Sequence, residues 1–203
     1  MGIYSRARKA DNGEAINRGG FQMKERETHH RLTLQDLVIT ALMIALTFGM
    51  TFINVRLPIA ANGGLVHLGN IPLLIAAVIF GKRTGALAGG IGMALFDLVG
   101  GWTLWAPFTF VIVGLMGYVV GAMTEKHCGY RWYVAAIAAA CAIKIAGYYV
   151  AESIIYGNWL APVASIPGNL VQMGLAAVVV LAVIGRLDLA AARIGLKPQT
   201  PKV

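Results

Sequence analysis

Residues 37–55 form an apolar run that contains no acidic or basic side chain and is flanked by Asp36 and Arg56. As a helix rising 1.5 Å per residue, the run matches the hydrocarbon core of a bilayer, which is about 30 Å thick. The whole chain has 58% hydrophobic and 13% charged residues, whereas soluble domains carry about 25% charged residues. This composition argues against a soluble enzyme and predicts an integral membrane protein with a single membrane domain.

Six apolar segments can be drawn along the 203 residues, at about 37–55, 70–80, 84–101, 105–123, 134–155 and 163–185. They predict an all-α, polytopic membrane domain over residues 33–190. A polar leader at residues 1–32, expected to be disordered, precedes this domain, and a basic tail at 191–203 follows it. The second segment is short for a membrane span, so it is expected to be tilted or only partly embedded.

Lysine and arginine are distributed unevenly between the two sides of the predicted bundle. If the N-terminus is cytoplasmic, the external connections at 56–69, 101–104 and 156–162 contain only Arg56. The cytoplasmic segments then contain Arg31, Lys82, Arg83, Lys126, Arg131, Arg186, Arg193, Lys197 and Lys202. Positive residues favour the cytoplasmic side, so six helices with both termini in the cytoplasm are predicted. The net charge of +8 is attributed to this orientation rather than to nucleic-acid binding.

The external connections contain residues suited to a small-molecule site. The connection at 56–69 contains Pro58, Asn62 and His67 together with a Gly-Gly pair. It is expected to form no regular element and to cover a bound ligand as a lid. Trp102, Trp105 and Trp159 also fall on the external side. They would serve either as an interfacial aromatic belt or as stacking partners for a flat ligand.

Three ionisable residues lie inside apolar segments, where such groups are costly and are functional candidates. They are Asp97, Lys144 and Glu152. Lys144, Tyr148 and Glu152 follow i, i+4, i+8 spacing and share one helix face, which Tyr156 extends outward. A structural ion pair of Lys144 with Glu152 or Asp97 is the alternative to a ligand-binding role.

Amide side chains occupy the corresponding depth of the last apolar segment. Asn169 and Gln172 are i, i+3 neighbours near its external end. With Glu152 and Tyr156 they are predicted to line a cavity open to the outside, where amides and a carboxylate would bind a hydrogen-bonding heterocycle. The predicted substrate-binding set is Asn62, His67, Trp102, Trp105, Lys144, Glu152, Tyr156, Asn169 and Gln172.

Small residues recur at four-residue intervals. Ala41 and Ala45 form a stripe on the first helix that would let a partner helix approach closely or would pack within the chain's own bundle. Glycine stripes at 81, 85 and 89 and at 117 and 121 predict tight helix packing. The sequence contains no hydrolase, zinc-protease or phosphate-loop motif. The chain is therefore expected to have no metal site, cofactor or ATPase activity of its own, and any active transport would need partner ATPases.

Two longer stretches carry a family resemblance. They read HLGNIPLLIAAVIFG at 67–81 and GALAGGIGMALFDLVGG at 85–101. Together with the Ala41/Ala45 stripe and the six-helix plan, they resemble the S components of energy-coupling factor (ECF) vitamin transporters, over about residues 33–190. The resemblance implies a prokaryotic plasma-membrane protein that binds a vitamin and docks, through Ala41 and Ala45, on a transmembrane coupling subunit associated with two cytoplasmic ATPases.

The glycine-rich third segment is most similar to the branch assigned to hydroxymethylpyrimidine or pyridoxine-type substrates. Pantothenate and riboflavin stay open as ligands, since Arg56 or Lys144 would suit a pantothenate carboxylate. From another class of protein, a stand-alone secondary transporter would use Asp97, Lys144 and Glu152 as a proton relay. Such transporters contain internal repeats, and the two halves of this sequence show none. A membrane-embedded enzyme is disfavoured because no catalytic set appears.

Overall fold

The computed structural model describes residues 33–57, 64–127 and 129–196. The helices are α1 (Leu34–Thr51), α2 (Asn70–Val99), α3 (Ala106–Lys126), α4 (Tyr130–Tyr156) and α5 (Ile166–Arg193), and the strands are β1 (Asn54–Leu57) and β2 (Gly64–His67). A short 3-10 helix, Ala161–Ser165, leads into α5. In these described ranges, five helices are long and apolar enough to cross a membrane, so the chain is a multi-pass helical membrane protein. The predicted leader and most of the tail lie outside the described residues.

Helix α1 begins three residues before its apolar run because Thr33 and Asp36 form a capping box. The Asp36 backbone N–H donates to Thr33 Oγ1 at 3.2 Å, and the Thr33 N–H donates to Asp36 Oδ2 at 2.9 Å. These bonds satisfy backbone groups that a helix start leaves unpaired. The helix ends at Thr51, before the apolar run does, because Asn54 already belongs to a strand.

The first external connection forms an antiparallel β-hairpin. Asn54 pairs with His67, and Leu57 pairs with Gly64. The expectation that residues 56–69 contain no regular element is therefore wrong, and the all-α class needs this small sheet added. Strand pairing satisfies the backbone N–H and C=O groups of these residues within the chain. The tip at 58–63, which includes Asn62, lies outside the described residues.

Helix α2 is two antiparallel arms, 70–80 and 82–99, joined at Gly81. This glycine has φ 87° and ψ 179°, a conformation that glycine adopts without the steric cost other residues incur. A Cβ atom built on Gly89 would lie 2.5 Å from Leu73 Cδ1, so the second arm folds back onto the first. The arms correspond to the predicted second and third segments. The first arm is almost entirely buried by other parts of the chain. It therefore does not need the length of a helix that faces lipid across the whole bilayer.

Glu125 at the end of α3 holds the Gly81 reversal. Its Oε1 accepts a hydrogen bond from the Lys82 backbone N–H at 2.8 Å, and its Oε2 lies 3.0 Å from Lys82 Nζ. The carboxylate thus satisfies a backbone donor at the start of the second arm. It also links this turn to α3.

Glycines bring the second arm of α2 against α3. A Cβ atom on Gly85 would lie 2.9 Å from the Gly117 carbonyl oxygen, and one on Gly90 would lie 2.9 Å from the Phe110 carbonyl oxygen. The predicted tight packing of the glycine stripes is confirmed, because larger residues at these positions would collide with backbone. Such close approach increases the dispersion contacts that hold helices together in lipid.

Successive long helices run in opposite directions. Gly85 faces Gly117, Gly147 faces Ile112, and Tyr133 donates to Asp188 Oδ2 at 3.2 Å. The ends of α2 and α4 therefore lie with the starts of α3 and α5 at one end of the bundle. The opposite end contains Lys82, Arg83, Lys126, Arg131, Arg186 and Arg193.

Candidate functional site

A cavity of about 110 Å³ opens at the bundle end that is poor in lysine and arginine. It lies where α2 and α4 end, where α3 and α5 begin, and beside β2. Its lining residues are Leu65, His67, Asp97, Trp102, Trp105, Thr109, Lys144, Tyr148, Glu152, Ser165, Gly168, Asn169 and Gln172. Seven of the eight sequence-predicted binding residues that the structure describes line this cavity. Tyr156 does not line it, and Asn62 lies outside the described residues.

Helix α4 supplies Lys144, Tyr148 and Glu152 to the cavity wall, in agreement with their i, i+4, i+8 spacing. The Lys144 side chain is only 1% exposed. Its Nζ lies 5.0 Å from the centroid of the Tyr148 ring, within the range of a cation–π contact. The Tyr148 hydroxyl and Thr109 Oγ1 are 3.1 Å apart, which connects α4 to α3.

Lys144 is not neutralised by an ion pair inside the described bundle. In the described ranges the one salt bridge joins Lys82 to Glu125. The alternative of a structural pair between Lys144 and Glu152 or Asp97 is therefore not what the structure shows. The ammonium group keeps its donors available to a molecule in the cavity.

Two carboxylates reach the cavity with an oxygen that has no hydrogen-bond partner. In the described part of the chain, Asp97 Oδ2 and Glu152 Oε2 are both buried and unpartnered. Glu152 is 6% exposed. A buried acceptor without a donor costs free energy, which a donor on a bound molecule would recover.

Helix α5 is connected to β2 through the cavity wall. Gln172, 2% exposed, donates through Nε2 to the His67 carbonyl oxygen at 3.2 Å. The Gly69 N–H donates to His67 Nδ1 at 3.3 Å, which places the proton of the neutral ring on Nε2. Burial, with a smaller contribution from the Lys144 charge, holds the pKa of His67 well below its ordinary value. The imidazole is therefore neutral at physiological pH.

Asn169 lies one helical turn from the 3-10 helix that leads into α5. Its Nδ2 donates to the Ser165 carbonyl oxygen at 3.3 Å. Both residues line the cavity. This bond is local, unlike the bond of Gln172 to another element.

The tryptophans differ in their position relative to the cavity. Trp102 and Trp105 line the cavity, whereas Trp159 lies outside it and is 65% exposed. The Trp105 ring centroid is 5.9 Å from that of Tyr156. Tyr156 therefore lies beside a lining residue without lining the cavity itself, while Trp159 has the exposure of a residue at the membrane interface.

Sequence reasoning did not select Leu65, Thr109, Ser165 and Gly168 as lining residues. Thr109 carries a usable signal, because it lies four residues after Trp105 and so shares its face of α3. Asp97 was recognised as a costly ionisable group without being placed in the binding set. Leu65, Ser165 and Gly168 carry no mark in the sequence, because their positions depend on the pairing of the hairpin and on how α5 packs.

Ala41 and Ala45 are both exposed on α1. The face of α1 that packs on α2 is a different one, since the Ile44 carbonyl oxygen and Thr47 contact Gly92. Packing of the two alanines within the bundle is thus not observed in the described residues. Their docking role stays a prediction.

The chain is similar to known proteins over most of its length. The chain matches the family model described as ECF-type riboflavin transporter, S component, over residues 31–189. It is 34% identical over 108 residues to an uncharacterized protein in a gap 3′ region of Pyrococcus woesei, covering 53% of this chain and 72% of that protein. It is 29% identical over 143 residues to the thiamine precursor transporter HmpT of Lactococcus lactis subsp. cremoris (strain MG1363), covering 69% and 80% respectively.

Proposed function

Because the chain belongs to the ECF-type S-component family, we propose that it is the membrane-embedded binding subunit that captures a vitamin precursor for ATP-driven uptake. We further propose that the ligand is a single-ring heterocycle of the hydroxymethylpyrimidine or pyridoxine type. The observation that carries the substrate class is the cavity, which joins two tryptophans with acidic, amide and ammonium groups in about 110 Å³.

The cavity volume supports one aromatic ring. A closed apolar cavity of about 150 Å³ binds benzene, and the volume of this open cavity, about 110 Å³, is of the same order. Riboflavin has three fused rings and a polyol chain, and the cavity is small for it. The name of HmpT, a thiamine precursor transporter, also supports a pyrimidine ligand by similarity.

The proposed arrangement in the membrane has six spans, with both termini cytoplasmic, in the plasma membrane of a prokaryote. The reversal of α2 at Gly81 and the collection of lysine and arginine at one end support it. The proposed partners are a transmembrane coupling subunit and two ATPases. The exposed Ala41 and Ala45 support a close helix contact with the coupling subunit.

Riboflavin is a second candidate ligand, because the matched family model carries its name. Pantothenate is kept as a third, because Lys144 in the cavity would suit its carboxylate. A stand-alone proton-coupled transporter is the alternative mechanism, because Asp97, Lys144 and Glu152 meet in one cavity.

Ligand titration of the purified full chain in lipid nanodiscs tests the substrate. Saturable binding is expected for hydroxymethylpyrimidine or pyridoxine, and mass spectrometry should detect the same class released from protein purified from cells. Binding of riboflavin or pantothenate alone would overturn the substrate proposal. Uptake that continues without coexpressed coupling and ATPase subunits, and that collapses with the proton gradient, would overturn the mechanism.

The tryptophans provide a matched pair of variants. Stacking of a base on an aromatic side chain is worth about 1–3 kcal/mol, or roughly 10- to 100-fold in affinity. Trp105→Ala should lose affinity by that factor. Trp159→Ala should bind like the parent, because Trp159 lies outside the cavity.

A further inference from the structure

We propose that Asp97 and Glu152 are specificity-determining residues that each accept a hydrogen bond from a different donor group of the ligand. The site would then select an uncharged heterocycle with two N–H or O–H donor groups and would reject its phosphate ester. This inference rests on the proposed function, because it takes the cavity as the ligand site.

The proposal rests on two carboxylate oxygens that have no hydrogen-bond partner among the described residues. Asp97 Oδ2 projects from α2 and Glu152 Oε2 from α4, and both residues line the cavity. The two oxygens belong to different helices, so each is assigned its own donor group on the ligand. An ionised carboxylate accepts hydrogen bonds and donates none, so the complementary groups on the ligand are donors.

Lys144 provides hydrogen-bond donors in the same cavity. Its buried ammonium group has donors and no acceptor, and it forms no salt bridge among the described residues. It can donate to an unprotonated ring nitrogen. A ligand that matches all three side chains therefore combines a ring-nitrogen acceptor with two separate donor groups.

Charge decides which form of such a ligand is accepted. In their ionised forms the two carboxylates and one ammonium group sum to −1, and His67 is neutral. A phosphate ester adds about −1.5 to −2 charges at pH 7. In a partly desolvated cavity this like charge would oppose binding. The free alcohol has no such penalty.

The compound 4-amino-5-hydroxymethyl-2-methylpyrimidine fits this description and has two close analogues that isolate its donors. One lacks the amino group, and the other has a methyl group in place of hydroxymethyl. Affinities of all three compounds, and of the phosphate ester of the first, are measured for the parent, Asp97→Ala and Glu152→Ala in nanodiscs. Asp36→Ala serves as the acidic control, since Asp36 caps α1 and does not line the cavity.

For the parent and the control, loss of either donor is expected to weaken binding by about 10- to 100-fold. In the variant that lacks the matching carboxylate, loss of that same donor should matter by no more than about twofold, the limit of additivity. A purely structural role would lower the affinity for all three compounds by one common factor. Asp97→Leu and Glu152→Met, which fill similar space without a strong hydrogen-bond acceptor, replace any alanine variant that fails to fold.

The outcomes separate the two proposals. If the parent binds the pyrimidine and donor loss costs the same factor in the parent and in every variant, the carboxylates do not read the donors and only this inference fails. If the phosphate ester binds as tightly as the free alcohol, the charge argument is overturned. If the parent binds no pyrimidine and binds riboflavin instead, the proposed substrate class fails with it.

Discussion

Replacement of Gln172 by methionine should loosen the contact between α5 and the β-hairpin. The side chain is buried, and its Nε2 donates to the His67 carbonyl oxygen across 3.2 Å. Methionine keeps the length of glutamine and fills the same space, but it has no N–H donor. The substitution therefore removes one hydrogen bond between elements far apart in sequence without creating a large cavity.

The cost follows from what is left behind. A carbonyl acceptor that loses its partner in a buried position costs about 1–3 kcal/mol. For a domain of this size, each kcal/mol lowers the melting temperature by roughly 2–4 °C. Gln172→Met should therefore melt about 2–12 °C below the parent. It should also bind ligand more weakly, because Gln172 and His67 both line the cavity.

Asn169→Ala is the comparison variant. Its hydrogen bond to Ser165 is local, so its loss should leave the melting temperature close to that of the parent. If Asn169 contacts ligand, its loss should reduce affinity by about 10- to 100-fold. Thermal unfolding and ligand titration of both purified proteins give the test. A Gln172→Met protein with the melting temperature and affinity of the parent would refute the reasoning.

Three further outcomes are expected. Ala41→Trp should abolish uptake and leave ligand binding to the isolated subunit intact. Leu42→Trp, at a neighbouring exposed position, should retain uptake. If Ala41→Trp loses ligand binding as much as it loses uptake, the docking role is contradicted. Burial lowers the pKa of His67, so the unfolded state takes up the proton at a higher pH than the folded state. Below about pH 6.5 this lowers the unfolding free energy by up to about 1.4 kcal/mol per pH unit. The melting temperature of the parent should therefore fall more steeply from about pH 7.5 to about pH 5.5 than that of His67→Asn, and parallel curves would contradict this. Ligand should slow labelling of a cysteine introduced at Asn62, and equal labelling with and without ligand would remove the predicted lid.

The sequence alone determined much of the helical architecture. Long apolar runs require helices, because backbone groups in lipid must be bonded within their own segment. The glycine stripes predicted close packing, and Gly85 against Gly117 confirms it. The hairpin between Asn54 and His67 was missed, because a strand pair depends on contacts between two segments rather than on a local pattern.

The ionisable and amide candidates in the cavity were also visible in the sequence. Polar groups are costly in an apolar segment, so their presence in α4 and α5 is itself a signal. Helical spacing placed Lys144, Tyr148 and Glu152 on one face. Helical spacing did not determine which of these groups form ion pairs. An ion pair between Lys144 and Glu152 was equally compatible with it.

Tertiary structure decided the partners. Helix directions and rotations bring Asp97, Lys144 and Glu152 to one cavity and leave two carboxylate oxygens without a donor among the described residues. The same packing puts Trp105 inside the cavity and Trp159 outside it, although both follow apolar segments. Hydrogen bonds act over a few ångströms, so satisfaction of a buried group depends on side chains from several helices. Spacing along one helix fixes a shared face, and only the packing of the other helices determines what that face meets.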